Sequence, residues 1–191
     1  MKICVYCASS DKVADKYFDA AERLGYQIAQ DRDVLVYGGG SKGLMGCIAD
    51  AVLAGGGFVR GVLPRFMDEV EWGHTGISEM VLVEDMHERK RRLVDGVDAV
   101  VALPGGCGTL EELAEVITLK RLGKFTKPII ILNLDGFYDP LLQMLDRMVE
   151  ERFMRPEHQT MYTFVDRVED VVPAIKRAPV WGPEAIAIAA V

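Results

Sequence analysis

Hydrophobic and polar positions follow two periods along this chain. Short runs rich in β-branched residues alternate with longer segments whose apolar residues recur every three to four positions, which is the pattern of strand and helix in turn. The runs predict strands over Lys2 to Cys7, Asp33 to Tyr37, Phe58 to Leu63, Met80 to Val83, Asp98 to Leu103, Ile129 to Asn133 and Met161 to Val165. Between them the pattern predicts a helix from a cap at Ser10 or Asp11 to about Gln30, and others over Leu44 to Ala54, from about Met86, over Leu110 to Leu122, from Asp139 through Val149, and from about Glu169. A loop is expected through Trp72 and His74. Nearly continuous apolar strands such as Val97-Asp-Ala-Val-Val-Ala-Leu103 suit sheet positions covered on both faces by helices. The expectation is an α/β fold, a Rossmann-like three-layer αβα sandwich with a mostly parallel sheet. It places one domain over residues 1–178 and a C-terminal tail over residues 179–191.

Composition narrows the function classes. The length, 191 residues, suits one domain, and 50% hydrophobic with 27% charged residues is the balance of a globular protein with a real core. A net charge of −7 argues against a protein that coats nucleic acid or an anionic membrane. No apolar run nears the roughly 18 residues that cross a bilayer. The start turns polar by Ser9, too soon for the apolar core of a secretory signal, so a cytoplasmic location is expected. Four cysteines, at 4, 7, 47 and 107, are too few and too unevenly placed for a disulfide framework.

Ligands of such a sheet bind in the loops at the carboxyl ends of its strands. The first strand runs into Ala8-Ser9-Ser10, the second into Gly38-Gly39-Gly40-Ser41-Lys42-Gly43, and the fifth into Pro104-Gly105-Gly106-Cys107-Gly108-Thr109. Glycine-rich turns that open a helix let backbone N–H groups approach an anion, so two of them on one edge point to a phosphate-bearing ligand of nucleotide size, although either could be only a tight turn. Gly38, Gly40 and Gly43 fit the dinucleotide spacing, but they follow the second strand, and no acidic residue stands at the end of the third to hold a ribose. No nicotinamide, no nucleoside-triphosphate hydrolysis and no other cofactor is expected.

Three charged residues stand out. Glu112 lies three residues after Thr109, which reads either as a capping box or as a carboxylate placed to serve the substrate. Arg89 and Lys90 share the inward stripe of their helix with Met86 and Leu93, either as a cationic wall facing the phosphate or as stems lying over apolar surface. Cys4 and Cys7, three apart on a strand, point to opposite faces, and His74, His87 and His158 have no ligand spacing, so no metal site is expected. Cys107 at a helix start has no evident histidine partner.

Taken together, Pro104-Gly-Gly-Cys-Gly-Thr-Leu-Glu-Glu112 with Met86-His-Glu-Arg-Lys90 upstream resembles the Lonely Guy family of nucleotide phosphoribohydrolases, often labelled possible lysine decarboxylases. The likeness runs from Cys4-Val-Tyr-Cys-Ala-Ser-Ser10 through Gly38 to Gly46 and on to Asn133-Leu-Asp-Gly-Phe-Tyr138. It implies hydrolysis of cytokinin riboside 5′-monophosphates, and commonly AMP, to free base and ribose 5-phosphate. It also implies a homodimer with sites near the subunit interface. By resemblance Arg89 and Glu112 are the catalytic pair, and Lys90, Gly105, Gly106, Gly108 and Thr109 hold the nucleotide. Thr118 is a further expected contact, and Ser9, Gly39, Gly40, Met86 and Cys107 complete the expected substrate site. Ala8 and Cys107 depart from the family pattern and bear on base preference. The decarboxylase label finds no support, because no lysine stands in a Schiff-base motif. The alternative is a non-catalytic nucleotide or molybdenum-cofactor carrier on the same fold.

Overall fold

Seven parallel strands form one sheet in the order β4-β3-β2-β1-β5-β6-β7. They are β1 (Lys2–Tyr6), β2 (Val34–Tyr37), β3 (Phe58–Pro64), β4 (Glu79–Val83), β5 (Ala99–Ala102), β6 (Ile129–Leu132) and β7 (Thr163–Val165). The helices are α1 (Asp15–Gln30), α2 (Gly43–Ala54), the four-residue α3 (Arg65–Asp68), α4 (Met86–Val94), α5 (Cys107–Arg121), α6 (Asp139–Glu150) and α7 (Val171–Arg177). The computed structural model describes residues 1–70 and 72–189. None of the described helices is long and apolar enough to cross a membrane.

Alternation along the strands divides the core in two. Ile3 and Val5 of β1 pack with Leu24 and Ile28 of α1, Ile48 and Val52 of α2, and Val171 and Ile175 of α7. Their neighbours Cys4 and Tyr6 point the other way, toward Leu93 of α4, Leu113 and Val116 of α5, and Leu145 of α6. A period of two in the strand and 3.6 in the helices thus gives the three layers directly. Cys4 and Cys7 fall on opposite faces as their spacing predicts, and all four cysteines are free. Chain order runs outward from β1 to β4 on one side and resumes at β5 on the other, so the crevice between β1 and β5 is the switch point where such sheets bind ligands.

Two helix starts differ from expectation. Helix α1 begins at Asp15 rather than at a cap on Ser10 or Asp11, because the Ser10 hydroxyl accepts from the Lys12 N–H at 3.2 Å and closes a local turn instead. Helix α5 begins at Cys107, not Leu110, with Gly106 as its N-cap. Thr109 is therefore inside the first turn, and the capping box suggested for Thr109 and Glu112 does not form. At the other end of the sheet, Met161 belongs to a 3-10 turn over Pro156–Met161, which leaves β7 shorter than predicted.

The segment from Trp181 to Ala189 lies against α5. The indole N–H of Trp181 donates to the Lys120 carbonyl at 2.7 Å, and Arg121 donates to the Ala189 carbonyl. His158, fully buried, accepts from the Arg155 N–H at Nδ1, so Nε2 carries the proton and donates to the Ile188 carbonyl at 3.1 Å. Lys120 is buried as well, with its ammonium on the Lys127 carbonyl at 2.8 Å, and burial lowers its pKa to about 8.

The β1 loop and the start of α2 meet at Gly43, whose φ of +62° is left-handed and where a Cβ would lie 2.5 Å from the Ser9 carbonyl carbon. Gly56 has a similar φ of +75° but open space around it. We expect Gly56→Ala to cost about 1 kcal/mol, for conformation alone, and Gly43→Ala to cost ~3 kcal/mol or more in urea unfolding. Equal losses would mean that the Ser9 contact carries nothing. For Lys120 the depressed pKa sets a pH window. Between about pH 8 and 10 an exposed lysine stays charged while Lys120 has discharged, so the unfolded chain binds the extra proton and folding strengthens as pH rises. Wild type should gain stability relative to Lys120→Met across that window, measured by denaturant titration at each pH, and a constant difference would contradict it.

Candidate active site

Arg89 owes its position to the start of α4. Asp85 caps that helix by accepting the Glu88 N–H at 2.7 Å, a bond that holds its carboxyl below the usual range, and the Glu88 carboxylate reaches back to the Glu84 N–H at 3.1 Å. One turn later the Arg89 side chain enters the protein and is only 8% exposed. Its Nε donates to the Val62 carbonyl of β3, its Nη2 to the Gly38 carbonyl after β2, and its Nη1 to Oε1 of Glu112, each at 3.1 Å. A Cβ on Gly38 would fall 2.2 Å from Nη2, so the absence of a side chain there is what admits the guanidinium.

Glu112 faces Arg89 from the second turn of α5 and is 9% exposed. Its Oε1 is taken by Arg89, while Oε2 has no hydrogen-bond partner among the described residues. Burial pushes its carboxyl above the ordinary range, and the Arg89 cation opposes that rise. The pair is 23 positions apart in sequence and closes the space between α4 and α5.

A cavity of about 600 Å³ opens at the β1–β5 switch point. Its polar lining comes from Ser9 and Ser10 after β1, Gly38, Gly40, Ser41 and Lys42 after β2, and Gly106 to Thr109 at the start of α5, with Arg89 and Glu112 at its wall. The first turns of α2 and α5 both border it, and the N–H groups of a helix's first turn are suited to an anion. Among the described residues no three of His, Cys, Asp and Glu lie close enough to hold a metal ion.

The expected site residues divide. Ser9, Gly40, Met86, Arg89, Gly106, Cys107, Gly108, Thr109 and Glu112 line this cavity together, whereas Gly39, Lys90, Gly105 and Thr118 do not. Gly39 turns the β2 loop at φ +79° against Leu63 and Met80, and Gly105 makes room for Thr109, whose Oγ1 would lie 2.1 Å from a Cβ there. Lys90 points from α4 to Glu111 and Glu115 of α5, which raise its pKa. Thr118, more than two turns down α5, is exposed and donates to the Ala114 carbonyl at 2.9 Å. The lining also includes residues that sequence reading passed over, chiefly Met45, Leu63, Met67 and Trp72. The signal for the last two was a group of large apolar residues, Phe66, Met67, Val70 and Trp72, in the connection between two strands.

Comparison with known proteins shows the family. A family model described as possible lysine decarboxylase matches residues 45–175. Two cytokinin riboside 5′-monophosphate phosphoribohydrolases of Arabidopsis thaliana are similar to the chain. LOG2 is 48% identical over 153 residues, covering 80% of this chain and 72% of its own, and LOG7 is 43% identical over 171 residues, covering 90% and 79%. Among solved structures, the molybdenum cofactor binding protein of Rippkaea orientalis superposes with a TM-score of 0.71 at 22% identity, over 92% of this chain and 95% of that one, a likeness of fold. With the family model spanning most of the sequence and curated relatives this similar along most of their length, the chain belongs to the Lonely Guy family, the one that carries the description possible lysine decarboxylase.

Proposed function

We propose that the protein hydrolyses the N-glycosidic bond of a purine nucleoside 5′-monophosphate, AMP or an N6-modified adenine nucleotide as in cytokinin activation, to free base and ribose 5-phosphate. The observation that carries this reading is a buried carboxylate with one oxygen held by Arg89 and the other without a hydrogen-bond partner among the described residues, in the same cavity as the start of α5. The names of the curated relatives support it.

The chemistry follows from charge. As the bond between C1′ and the base nitrogen breaks, its electron pair leaves with the base and the sugar becomes cation-like. Glu112 is suited to stabilise that positive charge, and its Oε2 to accept a hydrogen bond from the water that attacks C1′. Arg89 orients the carboxylate and favours its ionised form. The phosphate is assigned to the N–H groups of Gly106 to Thr109, remote from the reacting bond, where binding energy can position the sugar. Lys90 and Thr118, outside this cavity, are assigned supporting roles in the α4–α5 region. The reading includes a homodimer, for which the half-exposed apolar face of α6 with Met144 offers a surface, and the cytoplasm, whose reducing conditions suit four free cysteines.

The decisive assay is free base measured by chromatography after incubation with AMP and with isopentenyladenosine monophosphate. Wild type should release base, and Glu112→Gln should be slower by about 10³-fold while still binding nucleotide. Binding without release by wild type would make the protein a carrier. The acid limb gives a second test. Because burial raises the Glu112 carboxyl and the reaction needs it ionised, kcat/KM should fall as pH drops through a value above the ~4.3 of an ordinary glutamate. Arg89→Met removes the cation that opposes the rise, so the limb of its residual activity should move to higher pH, and a limb unmoved or shifted to lower pH would count against Glu112 as the titrating group.

A further inference from the structure

The proposed hydrolysis assigns work to the polar lining of the cavity and none to the apolar part, which includes Met45, Leu63, Met67 and Trp72. Trp72 is the unusual member. Its backbone is held firmly to the second glycine loop: its carbonyl accepts from the Ser41 N–H at 3.1 Å and the Ser41 hydroxyl at 3.4 Å, and its own N–H donates to the Met67 carbonyl at 3.2 Å. Gly73 bridges Gly40, and the His74 N–H donates to the Gly39 carbonyl at 2.9 Å. His74 then accepts the Gly76 N–H at Nδ1, so its Nε2 carries a proton and donates to Asp50 of α2 at 2.9 Å. Yet the indole between these anchors is 56% exposed, and its N–H has no partner among the described residues.

A fixed backbone presenting an uncovered ring at the border of a cavity is what a stacking platform requires. The ordering is already done before the ligand arrives, so the area covered on binding goes into affinity. With the phosphate placed at the start of α5, the flat base is the part of a nucleotide that an indole face can take. We propose that Trp72 is the base platform of this site and a determinant of its preference for purine over pyrimidine nucleotides. This rests on the nucleotide reading given above. A purine covers more of the ring than a pyrimidine does, and stacking depends on the π-face rather than on a particular hydrogen-bond pattern.

Trp72 and Trp181 are the two tryptophans of the chain, which makes the proposal directly observable. In Trp181→Phe, with Glu112→Gln added to prevent turnover, AMP should quench the remaining indole, while ribose 5-phosphate should compete with AMP without quenching. As a second measurement in the otherwise native protein, Trp72→Ala should raise KM for AMP about 10-fold, equivalent to ~1.4 kcal/mol, with kcat falling much less. It should also lower the kcat/KM ratio of AMP over UMP, and Trp72→Phe should restore most of both. AMP binding without any change in Trp72 emission, or an unchanged AMP over UMP ratio in Trp72→Ala, would overturn the platform. The two readings fail separately: quenching by AMP without base release from any nucleotide removes the hydrolase and keeps the platform, and base release with a silent Trp72 does the reverse.

Discussion

Arg89 donates to three acceptors that belong to three elements, the end of β3, the loop after β2 and the body of α5. A buried guanidinium is tolerable only when its donors are met, and here each acceptor it meets is also a structural joint of the cavity. The same side chain that lines the cavity therefore sets the spacing of the edge at which the cavity opens. Gly38 shows how tightly this is drawn, since its α-carbon has room for the guanidinium and nothing more.

The cavity gathers groups whose preferences oppose one another. Burial favours a protonated Glu112, and Arg89 favours the carboxylate. Helix starts draw in an anion, and Glu112 repels one, so the carboxylate and the phosphate must sit at different parts of the ligand. A sugar that becomes positive between a phosphate and a base reconciles these demands. An elongated ligand with a charged end, a reacting middle and a flat end fits a cavity with a polar part and an apolar part.

Local pattern made the layers legible. Strand alternation gave both core faces, and the helix stripe through Met86, Arg89, Lys90 and Leu93 indicated an inward cation. Spacing alone could not separate Arg89 from Lys90, because neighbours on a helix differ by 100° and only tertiary packing shows which one enters. Arg89 found three buried acceptors, while Lys90 found two carboxylates at the rim. The capping box at Thr109 failed for a local reason: Gly106 can adopt the extended N-cap conformation three residues earlier, so α5 gained a turn and Thr109 was drawn inside it. The apolar lining was not legible, since Met67 and Trp72 reach the cavity through a β3–β4 connection that doubles back onto the β2 loop, joined to it by the Gly40–Gly73 bridge and the hydrogen bonds of Ser41 and His74 beside it.

The buried pair has an outer counterpart one residue away on each helix. Arg89 meets Glu112 in the interior, and Lys90 meets Glu111 and Glu115 beside it, where the carboxylates are 55% and 36% exposed. The distance between α4 and α5 is thus braced twice, once in a dry setting and once in a wet one. Dissolved ions screen the two unequally, since exposed charges lose much of their attraction over the ~8 Å Debye length of physiological salt and buried ones do not. Ionic strength thereby weakens the outer brace between α4 and α5 more than the inner one.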